Sequence, residues 1–190
     1  VNSKLSTCYG LAWNGSMWMA VGSPISNVSA IVYSLDGIVW NSSNLSINYM
    51  YTVKGVAWNG TMWIAVGMRQ SFNSTIYNMA YSYNGTVWIP SKISPFGYYN
   101  INGIAWNGTM WIAVGQGDVN NMAYSYNGFD WVGLGKPVFN NQNNVFGIAS
   151  NGTMWIAVGE GTVNNMAYSS NGTDWVGLGK PVFDEGDGIA

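Results

Sequence analysis

A thirteen-residue phrase occurs four times in this chain: GLAWNGSMWMAVG (10–22), GVAWNGTMWIAVG (55–67), GIAWNGTMWIAVG (103–115) and GIASNGTMWIAVG (147–159). Each copy is followed by a second phrase that ends in tryptophan: YSLDGIVW (33–40), YSYNGTVW (81–88), YSYNGFDW (124–131) and YSSNGTDW (168–175). The copies open at Gly10, Gly55, Gly103 and Gly147, so successive spacings are 45, 48 and 44 residues. A repeat of this size is one supersecondary unit, too small to bury its apolar surface alone and stable only when stacked on its neighbours.

The third copy shows what the unit is. Ile104-Ala105-Trp106 is a short apolar run, and Asn107-Gly108 separates it from Met110–Val114. After a polar stretch come Met122–Tyr126, a second Asn-Gly at 127–128, and Phe129–Val132. Asn-Gly between apolar runs predicts a two-residue type I′ hairpin, in which both central residues take positive φ. The reading is four short strands, two tight hairpins and no helical period, with apolar residues on both strand faces as in sheets packed between other sheets. Four-stranded antiparallel units repeating every ~40–50 residues predict an all-β β-propeller. The expected blades are 10–54, 55–102, 103–146 and 147–187, with a fifth copy opening at 188–190. Because that copy breaks off mid-strand, a single propeller array is expected that is either a piece of a longer one or takes its missing strand from elsewhere. Trp18, Trp63, Trp111 and Trp155, with Trp40, Trp88, Trp131 and Trp175, are expected to fill the space between blades.

Composition narrows the function classes. Hydrophobic residues make up 48% and charged residues 7%, with net charge −2, so Asn, Ser, Thr and Gly must carry the surface. Five Lys and the single Arg69 are scattered, which removes the clustered cations that nucleic acid requires. No apolar run reaches the ~18 residues of a membrane span. With no His and one Cys, Ser–His and Cys–His nucleophilic systems and zinc sites lack their residues. The eight acids (Asp36, Asp118, Asp130, Glu160, Asp174, Asp184, Glu185, Asp187) show no spacing that pairs them for acid–base work. The run Asp184–Asp187 is read as a loop rather than a Ca²⁺ site. No catalytic residue, metal or cofactor is assigned, and a non-enzyme is expected. Cys8, the lone cysteine, is expected to be a small buried apolar residue.

The second phrase, S-x-[D/N]-G-x-x-W, resembles the Asp-box of the bacterial neuraminidase (BNR) repeat family. That box reads S-x-D-x-G-x-T-W. Here one residue is missing between acid and Trp, and Asn84, Asn127 and Asn171 stand where Asp36 keeps the acid. The resemblance implies a folding device in the hairpin between the third and fourth strands: a short polar side chain bonds nearby N–H groups and the Trp packs inward. It also raises sialidase activity, which needs an arginine cluster that one Arg cannot build. The repeats are likewise similar to propeller-like proteins of large DNA viruses and environmental sequences.

Up-and-down strand order puts both Asn-Gly turns of a copy at one end and the remaining loops at the other. Those other loops vary: from the opening Gly to the Ser of the second phrase is 24, 27, 22 and 22 residues. Copies one and two therefore carry insertions (Ser23–Ser29 and Met68–Asn78). Variable loops on a rigid scaffold are where binding sits. The candidates are Tyr98, Tyr99, Asn120, Asn121, Asn164 and Asn165, with Arg69, Asp118, Glu160, Lys136 and Lys180 beside them. Of ten N-x-[S/T] sequons, six fall in Asn-Gly turns, where the turn accounts for the Asn. Asn27, Asn41, Asn44 and Asn73 lack that reason and are the glycosylation candidates. The expected function is a structural or surface-display propeller, extracellular or on a particle or virion surface, contacting protein partners or itself. A lectin-like glycan-binding propeller is the alternative.

Overall fold

The computed structural model describes residues 3–25, 28–46, 49–72, 75–91, 95–139 and 144–180. They form sixteen strands in four antiparallel sheets, each a simple meander. The first sheet is β1 (Leu5–Trp13), β2 (Trp18–Pro24), β3 (Ile31–Ser34) and β4 (Asn41–Ser42); the second is β5 (Val53–Trp58), β6 (Trp63–Phe72), β7 (Thr75–Ser82) and β8 (Ile89–Ser91). The third is β9 (Ile101–Trp106), β10 (Trp111–Gly115), β11 (Met122–Ser125) and β12 (Val132–Gly133); the fourth is β13 (Val145–Ser150), β14 (Trp155–Gly159), β15 (Met166–Ser169) and β16 (Val176–Gly177). The chain divides into two compact units, Val1–Ser94 and Pro95–Ala190, with two sheets in each.

Both units are built on the same joint. In the first, Met19, Val21 and Ile31 of the first sheet close on Val53, Val56, Trp63 and Ala65 of the second. In the second, Met110, Ile112, Val114 and Met122 close on Val145, Ile148, Trp155 and Ala157. Alternation along W-I-A-V explains this: Trp111 and Ala113 point to one face of the sheet and Ile112 and Val114 to the other, so one strand offers apolar side chains to both faces. We call the face carrying the phrase tryptophan the leading face and the opposite one the trailing face. Of the eight tryptophans expected to fill the space between blades, Trp63, Trp88, Trp111 and Trp155 are buried, whereas Trp18, Trp40, Trp131 and Trp175 are half-buried. The opening glycines let adjacent first strands approach: a Cβ on Gly103 would lie 3.5 Å from the Cα of Gly147. A β-bulge precedes each opening glycine and leaves Tyr9, Lys54, Asn102 and Phe146 as the extra residues.

Three expectations are corrected. The first hairpin is not a two-residue Asn-Gly turn. Trp106 pairs with Trp111, the Asn107 N–H donates to the Met110 carbonyl, and the central residues are Gly108 and Thr109. Gly108, with φ 104°, takes the first central position, the glycine placement of type II′ turns, and Asn107 stands just before it. The fourth strand does not begin at Phe129: β12 starts at Val132, because Trp131 belongs to the loop that carries its ring inward. Cys8 is exposed, not buried. Its counterparts Val53, Ile101 and Val145 are each 0% exposed, but no described sheet covers the β1 face that carries Cys8. The insertion at Met68–Asn78 lengthens a hairpin, with Gln70 opposite Tyr77 and Phe72 opposite Thr75.

Candidate functional site

At the Asn-Gly end of every sheet, polar side chains are consumed by their own backbone. Asn107 Oδ1 accepts from the Thr109 and Met110 N–H groups at 3.0 and 2.8 Å, and Asn14, Asn59 and Asn151 do the same in their copies. In the second phrase, the Ser125 hydroxyl donates to Asn127 Oδ1 and accepts from the Gly128 N–H. Asn127 Oδ1 also accepts from the Phe129 and Asp130 N–H groups at 2.9 and 2.8 Å. Asp36, Asn84 and Asn171 repeat this set. The tryptophan that ends the second phrase closes the loop: Trp88, Trp131 and Trp175 donate Nε1–H to the carbonyls of Gly85, Gly128 and Gly172. N–H bonds from Val39 and Ile38, then the Ser34 hydroxyl, hold the Asp36 carboxyl below the usual aspartate value.

The other end carries the candidates of the second unit. The Tyr99 hydroxyl donates to Asp118 Oδ2 at 2.6 Å, which ties the connection before β9 to the loop after β10. Asn100 Nδ2 donates to Gln116 Oε1 at 3.3 Å, and Asn102 Nδ2 donates to Asn144 Oδ1 at 2.8 Å. Tyr98 and Val119 flank the Tyr99–Asp118 bond and are 68% and 75% exposed.

Asn120, Asn121, Asn164 and Asn165 are placed differently from Tyr98. Asn120 donates to the Pro95 carbonyl and accepts from the Gly135 N–H, both at 2.9 Å. Asn164 accepts likewise from the Gly179 N–H at 2.9 Å. Gly133 and Gly177 are the surfaces against which these amides lie, since a Cβ on either would collide with them. Asn121 and Asn165 are fully buried, and Asn121 Nδ2 donates to the Phe139 carbonyl at 2.8 Å. Asn120, Asn121 and Asn164 thus pin the segment after the fourth strand, and Tyr98 is left as the most outward side chain of the set. Lys136 and Glu160 are half-buried; Lys180 is exposed.

In the first unit the corresponding loops meet through Ser23 and Thr52, whose hydroxyls lie 3.1 Å apart. Lys54, at a bulge, is half-buried, and burial pushes its ammonium below the usual lysine value, opposed by the charge of Tyr9. Asn41 and Asn44 are exposed, and Asn44 Oδ1 accepts from the Trp88 N–H at 2.9 Å across the joint. Asn27, Asn73, the side chain of Arg69 and the run Asp184–Asp187 lie outside the described residues. Among the described residues no three His, Cys, Asp or Glu side chains come together.

Two outward residues were missed by the sequence reading. Tyr83 and Tyr126, at the x of S-x-N-G, are 61% and 65% exposed, each edge-on to Tyr81 or Tyr124 two residues earlier. Their signal was the i, i+2 spacing of Y-S-Y, which puts both rings on one strand face; the turn residues beside them drew the attention instead.

No protein-family model matches this sequence, and no curated protein matches it. Solved structures do. A structure of YCF48 bound to D1 peptide superposes with a TM-score of 0.61 at 16% identity, covering 94% of this chain and 57% of that one. A chain of the nidogen/laminin complex gives 0.62 at 13% identity, covering 90% and 62%. The chain thus spans about three fifths of each. With the four meanders, these likenesses show the fold to be an all-β β-propeller of four-stranded antiparallel blades.

Proposed function

We propose that this chain is a non-enzymatic β-propeller module that contacts a protein or peptide partner through the end carrying the variable loops. One observation carries the reading: exposed Tyr98 and Val119 flank loops that the Tyr99–Asp118 bond holds together. An aromatic and an aliphatic anchor on pre-ordered backbone lose little entropy on docking and suit a protein contact. The two solved structures compared above are complexes, one with a peptide and one of nidogen with laminin, which agrees with this use. The second phrase we read as a variant Asp-box, supported by its bond set. An extracellular or particle-surface setting belongs to the same proposal and is supported by the low charge and by exposed Asn41 and Asn44.

The test is selection of a displayed random peptide library on the immobilised chain, with a glycan array in parallel. The reading expects peptides whose binding is lost in Tyr98→Ala and Val119→Asp but kept in Tyr126→Ala. Binders lost only in Tyr126→Ala would move the site to the turn end. Glycan binding without peptide binding would replace this reading by the lectin one.

A further inference from the structure

The first-hairpin turn uses only one end of its asparagine amide. Oδ1 of Asn14, Asn59, Asn107 and Asn151 accepts from two N–H groups, and also from the hydroxyl of Ser16, Thr61, Thr109 or Thr153 at 3.0 to 3.1 Å. The Nδ2 groups of these four make no hydrogen bond to any described residue. An amide substituted at nitrogen keeps its carbonyl oxygen, so replacing one Nδ2 hydrogen leaves every bond of the turn in place.

The turn tip is also open. A Cβ added at Gly15, Gly60 or Gly108 would meet nothing within 4 Å, and at Gly152 it would meet the Asn107 carbonyl oxygen at 4.0 Å. These glycines are exposed, as are Ser16, Thr61, Thr109 and Thr153; Asn151 is exposed, and Asn14, Asn59 and Asn107 are half-buried. Each turn therefore presents a whole Asn-Gly-Ser or Asn-Gly-Thr, the acceptor tripeptide of N-glycosylation.

The second phrase carries the same Asn-Gly-Thr at Asn84 and Asn171, but the fold turns it inward. Asn84 and Asn171 are exposed, yet Gly85 and Gly172 sit on the leading face and are buried, their Cβ places 2.7 Å from Met17 Sδ and from the Met110 methyl. Thr86 and Thr173 are half-buried, and the Thr86 carbonyl accepts from the Asn44 N–H at 3.0 Å across the joint. Asn171 Nδ2 is taken by Asp174 Oδ2 at 2.7 Å. The sequons of Asn41 and Asn44 are enclosed in the same way, since Ser43 and Leu45 within them are 8% and 3% exposed.

We propose that Asn14, Asn59, Asn107 and Asn151 are N-glycan acceptor sites. In the transfer, Nδ2 gives up a proton to solvent and bonds to C1 of the sugar. The bond from C1 to the phosphate of a lipid-linked pyrophosphate donor breaks, and the lipid pyrophosphate leaves. The proposal rests on the extracellular setting given above. It deepens that reading, because glycans on the first hairpins cover the turn end of each sheet and leave the end with Tyr98 and Val119 for a partner.

The experiment directs the chain into the secretory pathway of cultured animal cells and removes its glycans with peptide N-glycosidase in heavy-oxygen water. Mass spectrometry then reads each former glycan site by its isotope label. Label is expected at Asn14, Asn59, Asn107 and Asn151. Occupancy at Asn59, Asn107 and Asn151 should exceed that at Asn84 and Asn171 severalfold, although the tripeptide is identical. Thr109→Ala should abolish the label at Asn107 alone. Occupancy at Asn84 and Asn171 equal to that of the hairpins overturns the proposal. Bare hairpins beside glycans at Asn41 or Asn44 overturn it too and leave the surface setting standing. A chain bare at every sequon overturns it and also removes the support that Asn41 and Asn44 lend to the setting. Chain retained inside the cell meets the same transferase, so its sites decide equally.

Discussion

Gly172 lies against Met110 so closely that a Cβ there would meet the Met110 methyl at 2.7 Å, and its φ is +82°. Two separate penalties therefore attach to Gly172→Ala: strain at a positive φ, about 1–3 kcal/mol, and a smaller crowding of the joint, which movement of the Met110 methyl partly relieves. Gly37 has a similar φ of +76°, yet the nearest atom to its Cβ place is Trp18 Nε1 at 3.6 Å. Gly37→Ala should show only the strain. Urea denaturation of the two variants in dilute solution isolates the joint as the difference; equal losses would mean that the glycine serves the turn alone.

The paired tryptophans at the first hairpin, tilted 48° and 51° to each other in the second and third copies, give a second comparison. Trp106 and Trp111 face each other with ring centroids 5.0 Å apart, as do Trp58 and Trp63. The fourth copy has Ser150 at this place, whose hydroxyl donates to the Met154 carbonyl and accepts from the Gly152 N–H. Trp106→Ser should therefore lose the ring pair, about 0.5–1.5 kcal/mol beyond area burial, while keeping the turn. Thermal unfolding followed by near-ultraviolet circular dichroism checks it; a loss of the whole sheet signal would show that the ring pair nucleates the hairpin.

Asp36 makes the first sheet sensitive to acid in a way the others are not. Its carboxylate accepts the Ile38 and Val39 N–H bonds at 2.8 Å, and these lower its proton affinity in the fold. A carboxyl depressed by folding adds stability above its unfolded value, and that stability is lost as pH falls through the folded value. Below about pH 4 the chain should weaken, and Asp36→Asn, the residue of the other three copies, should flatten this dependence without loss at neutral pH. Unfolding midpoints from pH 7 to 3 test it; an unchanged acid slope would remove Asp36 as the cause.

The fold was legible because one device is written four times. Asn-Gly turns, the W-x-A-V alternation and the phrase tryptophans all pointed to four-stranded blades, and the sheets follow them. Periodicity could not reveal the turn type, since that depends on Asn107 turning its side chain onto two N–H groups. Nor could it reveal Cys8, whose exposure follows from what covers β1 and not from the residue itself. The loop-end asparagines illustrate the same limit. Val-Asn-Asn looks like a repeated polar contact, but the glycines at 133 and 177 that receive Asn120 and Asn164 lie twelve or more residues on. Tyr99 and Asp118 had no sequence reason to be joined, because only the meander brings their loops together.

Lys54, among the described residues, is a cation that the fold holds at a cost. It occupies the bulge of β5, half-buried, and desolvation lowers its proton affinity while the charge of Tyr9 opposes this. For a lysine depressed by folding, the unfolded chain binds more protons between the folded and unfolded values, so stability rises with pH across that window and the rise is complete only above the unfolded value of 10.5. At neutral pH the charge is a penalty. Lys54→Met keeps the aliphatic stem and removes the ammonium, so it should raise the stability at pH 7 slightly, by less than about 1 kcal/mol after solvent screening, and the melting temperature with it. The gain should shrink as pH approaches 10. Melting curves of both proteins from pH 7 to 10 decide it: a gain that does not change with pH would assign the effect to packing, and a loss would show that the ammonium has a favourable partner at the bulge.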